Sequence, residues 1–136
     1  MPKPAPTPDE LTQPFWDACN ERRLVVQYCS TDQRYQYPPA AVCEACGSGS
    51  NLTWREVSGR GKIVTYTIMH DARQRTFHAD QPFNIAIIEL EEDSAIKLFS
   101  NLPGTPVDEV PVGASVQLEF EEVHTGQLVP EWRVVG

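Results

Sequence analysis

Three cysteines and one aspartate occur in the middle of the chain at spacings typical of a metal-binding site. Cys43 and Cys46 form a Cys-x-x-Cys pair followed directly by Gly47, and Cys29 is followed three residues later by Asp32. Two thiolates three positions apart on a tight turn can reach one tetrahedral ion, and two such pairs together typically hold zinc. The spacing predicts one Zn²⁺ per chain, with Cys29, Asp32, Cys43 and Cys46 as the candidate ligands.

Asp32 stands where the second cysteine of the first pair is expected, so three arrangements are open. Asp32 can be the fourth ligand, since a carboxylate oxygen binds zinc at about 2.0 to 2.2 Å. Water or another side chain can complete a three-thiolate site. In the third arrangement the metal has been lost and the cysteines pack as small hydrophobic residues. The fourth cysteine of the chain, Cys19, lies ten residues before Cys29, and we interpret it as a core thiol.

Composition limits the classes of function. The chain has 136 residues, of which 40% are hydrophobic, and a formal net charge of −8. This length suffices for one core or for two small modules that share a core. The acidic balance weighs against nucleic acid as the main partner. The amino-terminal sequence lacks the apolar core of a signal peptide, and no stretch approaches the roughly 20 apolar residues of a membrane helix. We therefore expect a cytoplasmic protein with reduced cysteines.

The first segment, residues 1–23, is predicted to form an extended arm and an N-terminal helix. Prolines punctuate the first eleven residues. In TQPFWDACNERRL, Thr12 can cap a helix and Pro14 is tolerated in its first turn. Phe15 and Trp16 make one helix face aromatic, and they either pack on the chain's own core or contact a partner.

The remaining two segments are predicted to be a ribbon, residues 24–57, and a barrel, residues 58–136. The ribbon reads as strand LVVQY, turn CSTD, returning strand RYQYPP and turn CEACG. Gly47 after Cys46 fits a turn that needs a positive φ. From Ser58 onward apolar residues alternate with polar ones, which indicates five strands. Five strands in some 80 residues are best closed as a small barrel of the OB type. The predicted fold is therefore mainly β.

The chain has no recognisable catalytic constellation. Its serines fall in turns, and its three histidines, His70, His78 and His124, have no ligand-type partner at helical spacing. Solvated loop histidines are the default interpretation. A basic stretch between Arg55 and Ala79 contains five basic and two acidic residues. It is either a solvated face or, through Arg73 and Arg75, a contact to a partner or to phosphate groups.

The order of these motifs resembles a known family, the DUF35 proteins, from about Gln13 to Val135. The motifs that carry the resemblance are Pro14-Phe15-Trp16, Tyr37-Pro38-Pro39, Cys43-x-x-Cys46-Gly47, Val57-Ser58-Gly59-x-Gly61 and Pro82-Phe83. The family combines a rubredoxin-like zinc ribbon with an OB-fold. Its ribbon normally carries four cysteines, from which Asp32 departs.

The resemblance implies an accessory subunit in a hetero-oligomer rather than a self-sufficient enzyme. The expected partner is a thiolase-fold enzyme, a thiolase or a retro-aldolase, that acts on acyl-CoA thioesters in the breakdown of aromatic, steroid or similar acids. The partner enzyme can also be an acyltransferase. An alternative partner is a hotdog-fold enoyl-CoA hydratase.

Aromatic side chains are the expected partner contacts, because they are rigid and rich in contact area. They are Phe15, Trp16, Tyr35, Tyr37, Phe77 and Phe83. Arg73 and Arg75 are the candidates for binding the phosphates of coenzyme A or for a partner contact.

A single-stranded nucleic-acid-binding module is the alternative from a different class, since zinc ribbons and OB-folds both occur in that role. From Ser58 onward the chain has six basic and twelve acidic residues, which would repel a nucleic-acid strand over most of the barrel.

Overall fold

The fold is given by a computed structural model that describes residues 3–135. Met1, Pro2 and Gly136, which belong to the predicted arm and barrel segments, lie outside the described residues. The described residues contain one helix, eight strands and two 3₁₀ turns. The helix is α1 (Gln13–Asn20), and the strands are β1 (Val25–Cys29), β2 (Arg34–Gln36), β3 (Leu52–Glu56), β4 (Arg60–Met69), β5 (Phe83–Leu90), β6 (Lys97–Ser100), β7 (Ser115–Glu122) and β8 (Leu128–Val134).

The ribbon is a three-stranded antiparallel sheet with the order β2-β1-β3. β1 lies in the centre, with Tyr28 opposite Tyr35 on one side and opposite Thr53 on the other. The two strands expected from the sequence are both present. The third strand, β3, was not predicted as part of the ribbon, because the alternation of Leu52 and Trp54 with polar residues is too short to indicate a strand clearly.

The second sheet has the strand order β6-β5-β4-β7-β8 and curls so that its two edge strands approach each other. Side chains complete the contact between those edges. The Ser100 hydroxyl on β6 accepts a hydrogen bond from the Trp132 backbone N–H on β8 at 2.9 Å and donates to the Glu131 carboxylate at 2.9 Å. The predicted mainly β fold, with a helix, a ribbon and a five-stranded barrel, is confirmed.

The beginning of α1 differs from the prediction in its cap. The Thr12 side chain makes no capping hydrogen bond to the helix. Its hydroxyl instead accepts a bond from the Asp9 backbone N–H at 3.1 Å, and the Asp9 carboxylate accepts one from the Thr12 N–H at 2.8 Å. This reciprocal pair has the pattern of a capping box shifted one turn earlier. Pro14 lies in the first turn of the helix, as expected.

The amino-terminal arm is tied to the barrel by Lys3. Its ammonium group lies 2.9 Å from the Glu121 carboxylate and 3.5 Å from the Glu131 carboxylate, and donates to Asn101 at 2.6 Å. The Glu131 side chain is 9% exposed, and a carboxylate at such depth needs charged or polar partners. The arm therefore supplies a counter-charge to the closing edge of the barrel.

One hydrophobic core joins the helix, the ribbon and the barrel. Trp132 of β8 is fully buried, and α1 packs on this strand. Phe15 and Cys19 from the helix and Val26 from the ribbon belong to the same cluster of buried side chains as Trp132. The ribbon and the barrel thus share buried apolar surface, which is the main stabilising contribution available to a chain of this size.

Two glycines at the entrance to the barrel explain part of the Val57-to-Gly61 motif. Gly59 has φ +79°, which disfavours other residues. At Gly61 a Cβ atom would lie 2.5 Å from the backbone oxygen of Glu89 on the neighbouring strand. Strands β4 and β5 can approach this closely only because position 61 has no side chain.

Trp132→Ala is expected to destabilise the chain by about 3 to 5 kcal/mol, because it removes a large side chain from the centre of the core. The measurement is the free energy of unfolding in urea. Phe99→Ala is the matched control, since the Phe99 side chain is 69% exposed. Equal losses of stability in the two variants would contradict the placement of Trp132 at the centre of the core.

Candidate metal centre and partner surface

The predicted metal ligands come together at one end of the ribbon. Cys29 is the last residue of β1, and Asp32 lies in the turn between β1 and β2. Cys43 and Cys46 lie on the turn that precedes Gly47, whose φ is +76° as expected. One possible ligand atom from each of these four residues lies within 4.8 Å of the others.

The distances between these atoms fit tetrahedral zinc. Zn–S bonds of about 2.3 Å and Zn–O bonds of about 2.0 to 2.2 Å at tetrahedral angles place two sulfurs about 3.8 Å apart, and a sulfur and an oxygen about 3.5 Å apart. The sulfurs of Cys29 and Cys46 are 3.8 Å apart, and the Asp32 carboxylate oxygen is 3.6 Å from Cys29 Sγ and 3.1 Å from Cys43 Sγ. The residues present therefore fit the ion.

The electrostatics of the cluster also suit a cation. Hydrogen bonds from the thiols of Cys43 and Cys46 hold the pKa of Asp32 below its usual value. A hydrogen bond from the Ser48 backbone lowers the pKa of Cys46, but the neighbouring Asp32, Cys43 and Cys29 outweigh it and raise that pKa to about 12. A carboxylate and thiolates packed this closely would repel one another, and a bound cation would offset that repulsion.

Cys19, the fourth cysteine, is fully buried. Burial raises the pKa of this thiol to about 12. Such a thiol is an unreactive core side chain, and it lies outside the metal-ligand cluster. The interpretation of Cys19 as a core residue agrees with this position.

The predicted partner-binding aromatics fall into separate groups. Phe15, Trp16 and Tyr37 pack together, with ring centroids 4.9 and 6.1 Å from Phe15. Phe15 is only 5% exposed, so its ring belongs to the chain's own core, the alternative that the sequence left open for it. Tyr35 pairs with Tyr28 at 5.1 Å. Trp16, Tyr35 and Tyr37 are each half-buried.

Phe77 and Phe83 lie together on the outside of the barrel, with ring centroids 5.9 Å apart. Along β5 alternate residues are buried, so Phe83, Ile85 and Ile87 point to the outer face. We call the surface formed by half-buried and exposed apolar residues on this side the outer apolar face. Its residues are Met69, Phe77, Phe83, Ile85, Ile87 and Phe99.

Phe99, which was not among the predicted contact residues, is 69% exposed and lies opposite Ile87 in the sheet. The sequence KLFS could have indicated this exposure. Side chains alternate along a strand, so Phe99 points to the face opposite that of the buried Leu98. A groove of about 580 Å³ runs along this face, and its lining includes Met69, Phe77 and Phe83. Its mostly apolar walls distinguish it from an ordinary solvated surface.

Arg73 and Arg75 are both exposed beside this face. Arg73 lines the groove, and Arg75 begins the 3₁₀ turn that ends at Phe77. Neither takes part in an ion pair formed among residues 3–135, whereas Arg60, Lys97 and Arg133 of the barrel are each paired with a carboxylate. This pairing, together with the acidic excess, leaves little basic surface for a nucleic-acid strand.

The comparisons with known proteins match the chain to two family domains, and the boundary between them falls within β3. Residues 16–53 match the rubredoxin-like zinc ribbon domain of ChsH2, and residues 54–121 match the ChsH2 C-terminal OB-fold domain. The chain belongs to the ChsH2 family of DUF35 proteins. The family membership expected from the sequence motifs is confirmed, and the zinc-ribbon match holds although Asp32 replaces a cysteine.

Relatives within this family carry different descriptions. A probable enoyl-CoA hydratase alpha subunit of Thermomonospora curvata is 31% identical over 97% of this chain, but the chain spans only 39% of that protein's length. A DUF35 domain-containing scaffold protein of Methanocaldococcus jannaschii is 27% identical over 85% of the chain and 80% of the relative. A chain of the Ltp2-ChsH2(DUF35) aldolase superposes with a TM-score of 0.83 at 28% identity, covering 96% of this chain and 98% of that one.

Across residues 3–135, no helix has the length and apolar character needed to cross a membrane.

Proposed function

We infer that this chain is an accessory subunit without an active site of its own, which binds a thiolase-fold enzyme of thiolase or retro-aldolase type acting on acyl-CoA thioesters. The observation that carries this inference is the similarity, over nearly the whole of both chains, to a chain of the Ltp2-ChsH2(DUF35) aldolase. The scaffold description of the Methanocaldococcus relative supports it. The substrates belong to the degradation of aromatic, steroid or similar acids.

The outer apolar face is the proposed contact with the enzyme subunit. Phe99 is exposed on the edge strand β6 opposite Ile87, and Phe77 and Phe83 line the groove farther along β5. Burying aromatic side chains at the centre of an interface contributes most of the binding free energy in typical complexes. We retain three further residues of the helix and ribbon as proposed contacts, because their rings are only half-buried: Trp16, Tyr35 and Tyr37.

Arg73 and Arg75 are proposed to bind anionic groups at the rim of this contact. A guanidinium group offers paired N–H donors that match phosphate or carboxylate oxygens. The groups are either the phosphates of coenzyme A or carboxylates of the enzyme subunit. In both cases the two arginines attract a negative group to an otherwise acidic chain.

The metal proposed for the ribbon, residues 24–57, is one structural Zn²⁺ held by Cys29, Asp32, Cys43 and Cys46. Four protein ligands leave no open position for water or substrate, so the ion supplies folding stability rather than catalysis. The ribbon has few large apolar side chains of its own, and metal binding adds stability that the sequence otherwise lacks. The barrel segment, by contrast, supplies most of the buried side chains of the shared core.

A hotdog-fold enoyl-CoA hydratase is the second candidate partner. The observation that favours it is the description of the Thermomonospora relative as a hydratase subunit. The chain spans 39% of that protein's length, so the hydratase activity in its description is not assigned to the residues of this chain. Identification of the enzyme that co-purifies with a tagged chain decides between the two partners.

Phe99→Asp is expected to reduce capture of the enzyme partner by tagged chain from the native host at least tenfold, because it places a charge in the proposed apolar contact. The measurement is the amount of partner protein per tagged chain, determined by quantitative mass spectrometry. Val112→Asp is the matched control, since Val112 is 57% exposed and lies outside the outer apolar face. Equal capture by both variants would refute the location of the contact, and absence of any acyl-CoA enzyme in the wild-type capture would refute the function.

Arg73→Ala with Arg75→Ala is expected to weaken either thioester binding by the assembled complex or assembly itself, by about tenfold, without lowering the stability of the chain. Binding of an acyl-CoA is measured by calorimetry on the purified complex, and assembly by titration. The control is the double variant Arg22→Ala with Lys62→Ala, which also removes two positive charges, at exposed positions elsewhere on the chain. Unchanged affinities in the Arg73/Arg75 variant would dispose of the proposed role.

Purified chain is expected to contain about one zinc ion, and Asp32→Ala is expected to bind it at least tenfold more weakly, because one ligand is lost. Zinc is counted by elemental analysis, and affinity is measured by competition with a chromophoric chelator. Asp32→Cys should retain the ion, and Glu44→Ala, a nearby exposed carboxylate, should leave its affinity unchanged. Equal affinity of wild type and Asp32→Ala would indicate a three-thiolate site, and wild-type chain free of zinc would indicate that the metal has been lost.

A further inference from the structure

Two buried glutamine side chains lie side by side in the ribbon. Gln27 of β1 and Gln36 of β2 are opposite each other in the sheet and are 5% and 6% exposed. The Gln36 Nε2 group donates a hydrogen bond to Gln27 Oε1 at 3.0 Å. Buried amides are costly unless their donors and acceptors are used, so the remaining bonds of this pair show what it holds.

The other hydrogen bonds of the pair all reach the backbone of the segment that leads into the second cysteine turn. Gln27 accepts from the Ala40 N–H and donates to the Ala40 carbonyl, both at 2.9 Å. Gln36 donates to the Val42 carbonyl at 3.1 Å and accepts from the Glu44 N–H at 2.9 Å. Five hydrogen bonds thus connect the two amides to each other and to alternate residues before and after Cys43.

Besides the packing of Tyr37 on Phe15, this segment has few other contacts of the hydrogen-bonding kind with the ribbon strands. The chain forms no strand between the end of β2 at Gln36 and the start of β3 at Leu52. The backbone bonds of the cysteine turn are internal to it, from the Cys43 N–H to Ser48 and from the Gly47 N–H to Cys43. Within residues 3–135, the two amides make the hydrogen bonds that join positions 37–46 to β1 and β2, apart from contacts of the cysteine sulfurs.

The position of the pair connects it to the metal cluster. Gln27 precedes Cys29 by two residues on β1, so the two side chains share a face of the strand. Glu44, whose N–H binds Gln36, directly follows Cys43, which is 1% exposed. We propose that Gln27 and Gln36 are positioning residues that hold Cys43 and its turn opposite Cys29 and Asp32 before the metal binds.

The proposal rests on the metal site proposed above and explains how a site with one carboxylate ligand retains its ion. Placing ligands in advance avoids the entropy cost of ordering a loop when the metal binds. Groups that orient metal ligands from outside typically change metal affinity 10- to 100-fold when they are replaced. The two glutamines are expected to act in this range although neither contacts the ion.

Gln36→Glu in the full chain tests the proposal. The substitution keeps the size of the side chain but removes the two N–H donors that reach Gln27 and Val42. We expect Co²⁺ and Zn²⁺ to bind about 10- to 100-fold more weakly, measured by chelator competition and, for Co²⁺, by thiolate absorbance. Gln117→Glu is the matched control, because Gln117 is exposed on β7 and lies opposite Arg133.

A second measurement does not depend on the metal. In reduced, metal-free chain, the rate at which an alkylating reagent modifies Cys43 should rise at least tenfold in Gln36→Glu, because the turn is released, while Cys19 stays unmodified. If Gln36→Glu fails to fold, Gln36→Met, which adds no charge, takes its place. Weaker metal binding and faster alkylation of Cys43 are expected in that variant as well.

The outcomes separate the two proposals. A wild-type chain that binds no metal would refute the metal site, and the alkylation rates would still decide whether the glutamines hold the turn. Wild-type metal affinity and wild-type Cys43 alkylation in both variants would overturn the positioning role. A lower melting temperature with unchanged metal affinity and unchanged alkylation would also overturn it, since that is the result of a purely structural contact.

Discussion

The central constraint on this protein is the shortage of apolar side chains in its ribbon. A three-stranded sheet of this size cannot bury enough apolar surface to hold an irregular segment beside it. The structure meets this constraint in three ways: Val26 joins the core that surrounds Trp132, two buried amides bind the segment before the second cysteine turn, and four candidate metal-ligand side chains converge at the end of the sheet. The ribbon is thereby fixed to the barrel, which supplies most of the shared core.

The barrel differs from the ribbon, because it has apolar residues on its outer face as well as in its interior. Its inner face is filled by residues such as Ile88 and Trp132, both fully buried. The outer side of β5 is apolar as well. Phe83 and Ile85 on this side line an uncovered groove together with Phe77, and Phe99 is exposed on the neighbouring strand. An acidic protein with one apolar face and two arginines beside it has the surface expected of a subunit that functions in a complex.

Much of this arrangement could be predicted from particular residues. The pair Cys43 and Cys46 with Gly47, and the spacing of Cys29 and Asp32, were sufficient to identify the cluster, because short-range geometry on two turns limits where the four side chains can go. The alternation around Val116 and Leu118 indicated strands for the same reason. Thr12 was wrongly expected to cap the helix, because Asp9 offers a second cap one turn earlier and the sequence does not rank the two.

The sequence by itself determined the kinds of element, the cluster of candidate metal ligands and the family, since these depend on spacing within a few residues or on motifs in a fixed order. Only the tertiary structure decided which faces are covered. Phe15 is in the core and Phe99 is exposed, although both are aromatic residues on amphipathic elements. In the sequence, Gln27 and Gln36 are indistinguishable from other polar strand residues, and only the folded position of the 37–46 segment buries them. Periodicity shows that an element has two faces, but burial depends on what packs against each face, and that is a property of the whole chain.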